Sequence, residues 1–454
     1  MTLWNYLKKF LLKNPTQTVS EDSINITFEE LVRQAEGFGR RLKSHKCCAI
    51  LCTSEMFSAL SILACFSAEV TALPLSVRYG ESHCKKILDS VNPDAIITDT
   101  LGKLEVYSIR DGQYVLPTLH PAVIMCTSGT TGKPKGAMLS EQNIISNVSD
   151  IADYFDISAT DAILISRPLY HCAVLTGEFL TAIVKGTAIR FYSGQFNPAV
   201  ILELIEKYNI TVFCGTPTLI SLMARFNRNN KVKALKHICI SGECMDAETG
   251  SKIYSSFPSC NIYHVYGLTE ACPRVSCLPP KHFKDNPDCV GLPLRSVSIK
   301  ILNEEGCLCR KNEDGVLWIK GDNVMLGYYG DPEASAKVLK DGWLCTGDIA
   351  TVNKNGFLKI KGRRDGLIIR AGMNIYPSEI ETALRQDPRI KEIIAYGFED
   401  RFGTQIGIKA VGDLSSSEEL KQLCLEVLPS FQIPSVIEIV DELPKNGSGK
   451  IIRR

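Results

Sequence analysis

Between residues 27 and 100 the apolar positions recur at helical spacing, then at strand spacing, and the alternation repeats. Helical windows at 28–42, 57–66 and 81–91 are separated by short β-branched runs at 49–51 and 95–98. Helix and strand in alternation predict a parallel sheet, because each helical crossover returns the chain to start the next strand in the same direction. A second series follows, with helices expected at 141–155, 176–185 and 198–208 and strands at 162–166, 188–191 and 211–213. After Val290 the texture changes to short strands at 297–302, 306–309 and 315–320, joined by Asn, Glu and Gly turns that predict a β-rich subdomain. A charged, glycine-bracketed segment, Lys361-Gly362-Arg363-Arg364-Asp365-Gly366, then precedes a final α+β stretch. The expected fold class is α/β: a large N-terminal domain over 1–361, built of layered sheets and the β-rich subdomain. A hinge at 362–365 leads into a small mobile α+β domain over 366–454.

Composition removes several classes. The chain has 454 residues, enough for more than one domain, and Lys+Arg 51 against Asp+Glu 50 gives a net charge of +1. Without a basic field, nucleic acid is not an expected partner. Residues 1–15 read as an amphipathic helix with too short an apolar run for a signal segment. In the most apolar window, 56–75, Ser58, Ser61, Ser67 and Glu69 interrupt any span. No membrane span is expected. The 18 cysteines are dispersed through apolar runs such as Cys47-Cys48-Ala49-Ile50-Leu51-Cys52, which points to buried thiols in a reducing cytoplasm. Cys307-x-Cys309, with Cys289 and His282 upstream, lacks paired C-x-x-C spacing, so cysteine-held zinc is set aside.

The densest chemistry lies in Thr127-Ser128-Gly129-Thr130-Thr131-Gly132-Lys133-Pro134-Lys135-Gly136. Glycines let backbone N–H groups approach phosphate oxygens, the hydroxyls donate further, and two lysines meet the charge, so the stretch suits a polyphosphate. It is not a Walker A loop, since Gly129 and Gly132 are too close and Pro134 blocks the helix a Walker lysine opens. By itself the stretch also fits a polar turn between two strands. Pro444-Lys445-Asn446-Gly447-Ser448-Gly449-Lys450 is a second glycine-rich tip, near the end of the chain and carrying one terminal lysine.

Taken in order, five segments resemble the adenylate-forming enzymes, the family of acyl- and aryl-CoA synthetases, luciferases and peptide-synthetase adenylation domains. They are the loop at 127–136, Tyr266-Gly267-Leu268-Thr269-Glu270, Thr346-Gly347-Asp348, Gly362-Arg363-Arg364-Asp365, and Pro444 to Lys450. The resemblance implies that a carboxylate attacks the α-phosphorus of ATP to give an acyl-adenylate and pyrophosphate, and that a thiol then attacks the mixed anhydride. It assigns Thr127, Ser128, Gly129, Thr130, Thr131, Gly132, Lys133 and Lys135 to the leaving phosphates, Thr269 to the α-phosphate and Glu270 to Mg²⁺. Tyr266 would stack on adenine, Gly242 and Glu243 of Ser241-Gly242-Glu243 would approach adenine and the substrate carboxylate, and Asp348 with Arg363 would hold the ribose. Lys450 would bridge the attacking carboxylate and the α-phosphate. Asp365 would be the hinge, and Gly372 would line the thiol tunnel.

Pro168-Leu169-Tyr170-His171 matches the family segment whose histidine stands at the mouth of the acyl pocket, with Gly215, Gly242 and Gly267 as further pocket positions. After His171 no carboxylate occurs before Glu178, so a substrate ammonium would lack a counter-ion. The resemblance therefore implies an ATP- and Mg²⁺-dependent ligase for an apolar aryl or fatty acid. The co-substrate is CoA or the phosphopantetheine of a separate acyl carrier protein. Three other readings remain beside it: an acyl-AMP ligase that loads a carrier without CoA, a luciferase-type oxygenase, and a catalytically silent nucleotide sensor.

Overall fold

The structure is a computed structural model describing residues 1–75, 81–100, 102–109, 114–127, 135–227, 232–370, 373–400, 403–429, 432–445 and 451. The chain divides into two compact units, Met1–Ile299 with Trp318–Cys345, and Lys300–Leu317 with Thr346–Arg454.

Two sheets organise the first unit. The larger has nine strands, in the order Leu292–Pro293, Arg274–Leu278, Asn261–Gly267, His237–Ile240, Val212–Gly215, Ala162–Ile165, Ala188–Phe191, Thr18–Glu21 and Ile24–Thr27. The six consecutive strands from Asn261–Gly267 to Thr18–Glu21 are parallel, as the helix–strand alternation predicts. The second sheet has seven strands, with Cys47–Leu51, Thr71–Pro74, Val123–Thr127 and Ala95–Thr100 parallel at its centre. Local chemistry starts the helices where the sequence asks. Thr27 caps Phe28–Leu42, and Ser140 forms a capping box with Asn143 on Glu141–Tyr154, a device worth about 1 kcal/mol. Leu3, Trp4, Leu7 and Leu11 are the buried face of the first helix, Leu3–Lys13. The window at 56–75 is a packed helix, Glu55–Ala68, followed by the strand Thr71–Pro74. No described helix is long and apolar enough to cross a membrane.

Two expected elements differ. The helix placed at 176–185 starts at Cys172 and contains a π-turn over Leu175–Leu180 before Thr181–Lys185. Apolar periodicity does not register one extra residue in a turn. The run at 306–309 is not a strand: the Asn303 side chain accepts from the Glu305 and Cys307 amides, and this turn leaves one isolated bridge, Leu302 to Leu308.

In the second unit, Asp348–Val352 pairs antiparallel with Leu358–Arg363, and Ile368–Arg370 with Met373–Ile375. A three-stranded sheet of Ile390–Asp400, Gly403–Gly412 and Val436–Ile439 packs with the helices Pro377–Leu384 and Ser417–Val427. Its core includes Ile380, Leu384, Ile393, Ile406, Ile408, Leu420 and Cys424.

Candidate active site

In an open parallel sheet the strand ends are where ligands settle, because loops diverge there and leave a crevice. The nine-stranded sheet places Gly215, Ser241-Gly242 and Gly267 at or just past the carboxyl ends of three adjacent parallel strands. Ser241 N donates to Gly215 O at 3.0 Å, so the two loops are joined. Glu243 tightens that join: its carboxylate accepts from the Thr218 amide at 3.3 Å and the Thr218 hydroxyl at 2.7 Å, at the start of the helix Pro217–Phe226. Gly242 has φ +97, a conformation that costs glycine nothing. At Gly267 a Cβ would fall 1.9 Å from the Pro273 carbonyl oxygen, because the register shifts between Tyr266 and Gly267 and the chain turns back at once. Glycine here lets the turn carrying Thr269 and Glu270 close.

The stretch around 127–136 joins two antiparallel strands, Val123–Thr127 and Lys135–Leu139, with Thr127 registered on Lys135. Ser128, Gly129, Thr130, Thr131, Gly132 and Lys133 lie outside the described residues, as do Gly372 and Lys450. Lys135 opens its strand and holds its ammonium 5.1 Å from the centroid of the Tyr328 ring. The Tyr328 hydroxyl in turn donates to Glu270 Oε1 at 2.8 Å, and Met325 N donates to Glu270 O at 2.9 Å. The strand Gly327–Tyr328 pairs with Lys135–Leu139, so the sheet brings the lysine to the tyrosine whose hydroxyl meets the carboxylate. Tyr328 has no sequence signal beyond a Gly-Tyr pair. Among the described residues no three His, Cys, Asp or Glu side chains converge on a metal position. Glu270 offers one half-buried carboxylate, which suits a nucleotide-borne Mg²⁺ whose remaining positions are filled by phosphate and water oxygens.

Within the second unit Asp348 and Arg363 are cross-strand partners, Arg363 Nη1 standing 3.5 Å from Asp348 Oδ1 and donating to Thr346 O at 2.9 Å. Gly347 has φ +73, and a Cβ there would come within 3.0 Å of Arg363 Nη2. The Thr346 hydroxyl anchors the turn, donating to Leu317 O at 2.8 Å and accepting from the Asp348 amide at 3.0 Å. Asp365 lies in a short 3-10 turn, Arg364–Gly366.

His171 is half-buried at the start of the helix that follows Pro168-Leu169, and its Nε2 is buried with no hydrogen-bond partner among the described residues. Desolvation first, and the Arg167 charge second, push its imidazole down to about 3, so the ring is neutral near pH 7. Glu178 is buried and ion-paired with Arg167, which leaves it unsuited to meet a substrate ammonium.

A second buried histidine gives a pH test independent of the site. His264 lies in the strand Asn261–Gly267 with Nδ1 3.1 Å from Pro287 O, and burial pushes it down to about 4. Its folded value lies below the ordinary value of about 6.5, so protons bind the unfolded chain preferentially as pH falls from there towards 4. Stability present above pH 6.5 is therefore lost below it, at up to about 1.4 kcal/mol per pH unit for this group. Urea-unfolding midpoints measured from pH 7 to pH 5 should fall less steeply in His264→Gln than in the wild type. Equal slopes would remove the histidine from the account.

A long-chain-fatty-acid–CoA ligase of Haemophilus influenzae is 36% identical over 77% of this chain, the match spanning 64% of the ligase. A feruloyl-CoA synthase of an Amycolatopsis species is 31% identical over 73% of this chain and 68% of its own length. The solved o-succinylbenzoate CoA synthetase of Bacillus subtilis, in complex with its acyl-adenylate intermediate, superposes with a TM-score of 0.87 at 27% identity. That match covers 99% of this chain and 97% of the synthetase, which is also solved with ATP and magnesium ion. Residues 114–329 match the family model of the AMP-binding enzyme and residues 379–450 that of its C-terminal domain, and the chain belongs to the AMP-binding enzyme family.

Proposed function

We propose that the protein is an AMP-forming acid–thiol ligase: it activates an apolar aryl or fatty carboxylic acid as acyl-AMP, releases pyrophosphate, and transfers the acyl group to CoA. The observation that carries this reading is the line from Lys135 through Tyr328 to Glu270, which sets a cation and a carboxylate on one tyrosine. Two anions must meet in the first half-reaction, so fixed donors and cations supply most of the catalysis. Lys135, with the loop residues, neutralises the departing pyrophosphate, and Thr269 donates to the α-phosphate. Glu270 would hold Mg²⁺, which when bound neutralises phosphate charge and orients the oxygens. Asp348 accepts from the ribose hydroxyls while Arg363 keeps its carboxylate oriented, and Tyr266 stacks on the base. Lys450 supplies an ammonium to the attacking carboxylate, and Asp365 is the hinge that ends the first half-reaction. Gly372 leaves room for the pantetheine arm in the second. The neutral His171, with Gly215, Gly242 and Gly267, lines the acid's entry.

An α-amino acid is disfavoured because Glu178, the first carboxylate after His171, is already paired. The relatives' activities on long-chain fatty acids, ferulate and o-succinylbenzoate support an acid with an apolar body. The eighteen free cysteines suit a reducing cytoplasm. Incubating the purified protein with ATP, Mg²⁺ and a pool of acids, with and without CoA, and weighing the products tests all of this. Acyl-CoA and AMP are expected. Acyl-AMP that accumulates whether or not CoA is present would instead indicate transfer to a carrier protein's pantetheine. Absence of pyrophosphate release with every acid in the pool would be the outcome that rejects the ligase.

A further inference from the structure

Arg274 is the largest fully buried side chain among the described residues, and nothing in the chemistry above uses it. It opens the strand Arg274–Leu278 in register with Gly267, at the same edge of the sheet as Gly215, Ser241 and Gly242. Its backbone is held on both sides: Arg274 N donates to Asn147 Oδ1 at 3.0 Å, and its carbonyl accepts from Asn147 Nδ2 at 2.8 Å and Asn323 Nδ2 at 2.9 Å. The side chain is thereby fixed in place beside the Tyr154 hydroxyl, yet Nε and Nη2 are buried and make no hydrogen bond of ordinary geometry among the described residues. These two nitrogens are the side-on fork of the guanidinium, the pair whose parallel N–H bonds match a carboxylate.

The surroundings point the same way. A Cβ on Gly177 would lie 2.8 Å from Arg274 Nη2, 3.1 Å from Cζ and 3.5 Å from Nε, so glycine at 177 makes room for the guanidinium. Gly177 belongs to the π-turn that begins four residues after His171, and such turns collect at functional sites because they displace one residue from the helical register. The ion pair of Arg167 and Glu178 is buried beside it, with Arg167 Nε and Glu178 Oε2 also lacking hydrogen-bond partners among the described residues. Two arginines and one carboxyl leave this set cationic whether or not Glu178 is ionised. A buried set with one more cation than carboxyl is costly and is retained where it meets something. Ser166 Oγ, Ser241 Oγ and Ser276 Oγ are likewise buried without partners among the described residues, so unsatisfied polar atoms are not confined to the arginine.

We propose that Arg274 is a specificity-determining residue that receives a second carboxylate at the far end of the acid, making the substrate a dicarboxylic acid with an apolar body. The inference rests on the acid-activation reading above and narrows its substrate class. One carboxylate is activated, and the other neutralises the Arg167–Glu178–Arg274 set through the Nε and Nη2 fork. A mono-acid of equal length would bury the fork without an acceptor, which is how a polar pocket rejects an analogue lacking the matching group.

The test is ATP–pyrophosphate exchange with straight-chain diacids and with mono-acids of the same length, on the wild type, Arg274→Met and Arg274→Lys. At the best chain length the wild type should prefer the diacid by about 100-fold or more in kcat/KM. Arg274→Met, which keeps the bulk and removes the charge, should abolish or reverse the preference, mainly through KM. Arg274→Lys should retain part of it. The wild-type ratio stands without any variant, so poor folding of Arg274→Met does not shelter the proposal. Equal or better use of mono-acids by the wild type overturns it, as does an unchanged ratio in a folded Arg274→Met, the result of a purely structural arginine. Exchange with mono-acids alone would leave the ligase reading standing, whereas no exchange with any acid defeats both.

Discussion

Glu270→Gln should lower the rate of pyrophosphate release by about 10²–10³-fold with little change in folding stability. The substitution is nearly isosteric, and the surroundings let the loss be read as charge. Glu270 sits in a single turn, Thr269–Ala271, whose backbone is held by Met325 N at 2.9 Å, an interaction that glutamine keeps. The glutamine oxygen also accepts from the Tyr328 hydroxyl, now 2.8 Å from Glu270 Oε1. What disappears is the anionic oxygen offered to a hard cation. Tyr328→Phe is the matched control. It removes one hydrogen bond, worth about 1 kcal/mol, and keeps the aromatic face 5.1 Å from the Lys135 ammonium. A loss of about fivefold to tenfold is expected there. Rates taken across a Mg²⁺ titration should show Glu270→Gln saturating at higher metal concentration. Near-wild-type rates at low Mg²⁺ would contradict the assignment.

Lys450→Ala should lose adenylate formation by a comparable factor, about 10²–10³-fold, while a supplied acyl-adenylate is still consumed with CoA at close to the wild-type rate. The asymmetry follows from charge. In the first half-reaction a carboxylate approaches a polyphosphate, and the Lys450 ammonium, on a glycine-rich segment, would relieve that repulsion. In the second, a thiol attacks a mixed anhydride and the incoming group needs no such screen. A lysine that only stabilised the small domain would slow both steps together, and equal losses would return Lys450 to the status of a solvated terminal charge.

Much of this architecture can be read from residue order. The helix at 28–42 begins and ends where its apolar period and Thr27 say it should, and the strands at 95 and 188 fall where the β-branched runs do. Such elements are legible because burial of one face dictates a local period. The π-turn at 175–180 was hidden, since an inserted residue alters register by less than the scatter of apolar spacing. Tyr328 and Arg274 were hidden for another reason. Each lies in a strand whose sequence is unremarkable, and each matters through a neighbour distant along the chain, Glu270 for the tyrosine and Gly177 for the arginine.

The sequence by itself determined the alternating α/β layering, the change of texture after Val290, and the set of residue types around phosphate-like and carboxylate chemistry. These depend on local period, turn chemistry and the ordering of motifs. Only the tertiary structure decided that Gly215, Gly242 and Gly267 share one edge of a parallel sheet, that Lys135 and Glu270 meet through Tyr328, and that Arg274 is buried with its fork unpaired. Those facts follow from strand order and side-chain burial, which are set by the packing of distant segments against one another and have no counterpart in the spacing of neighbours along the chain.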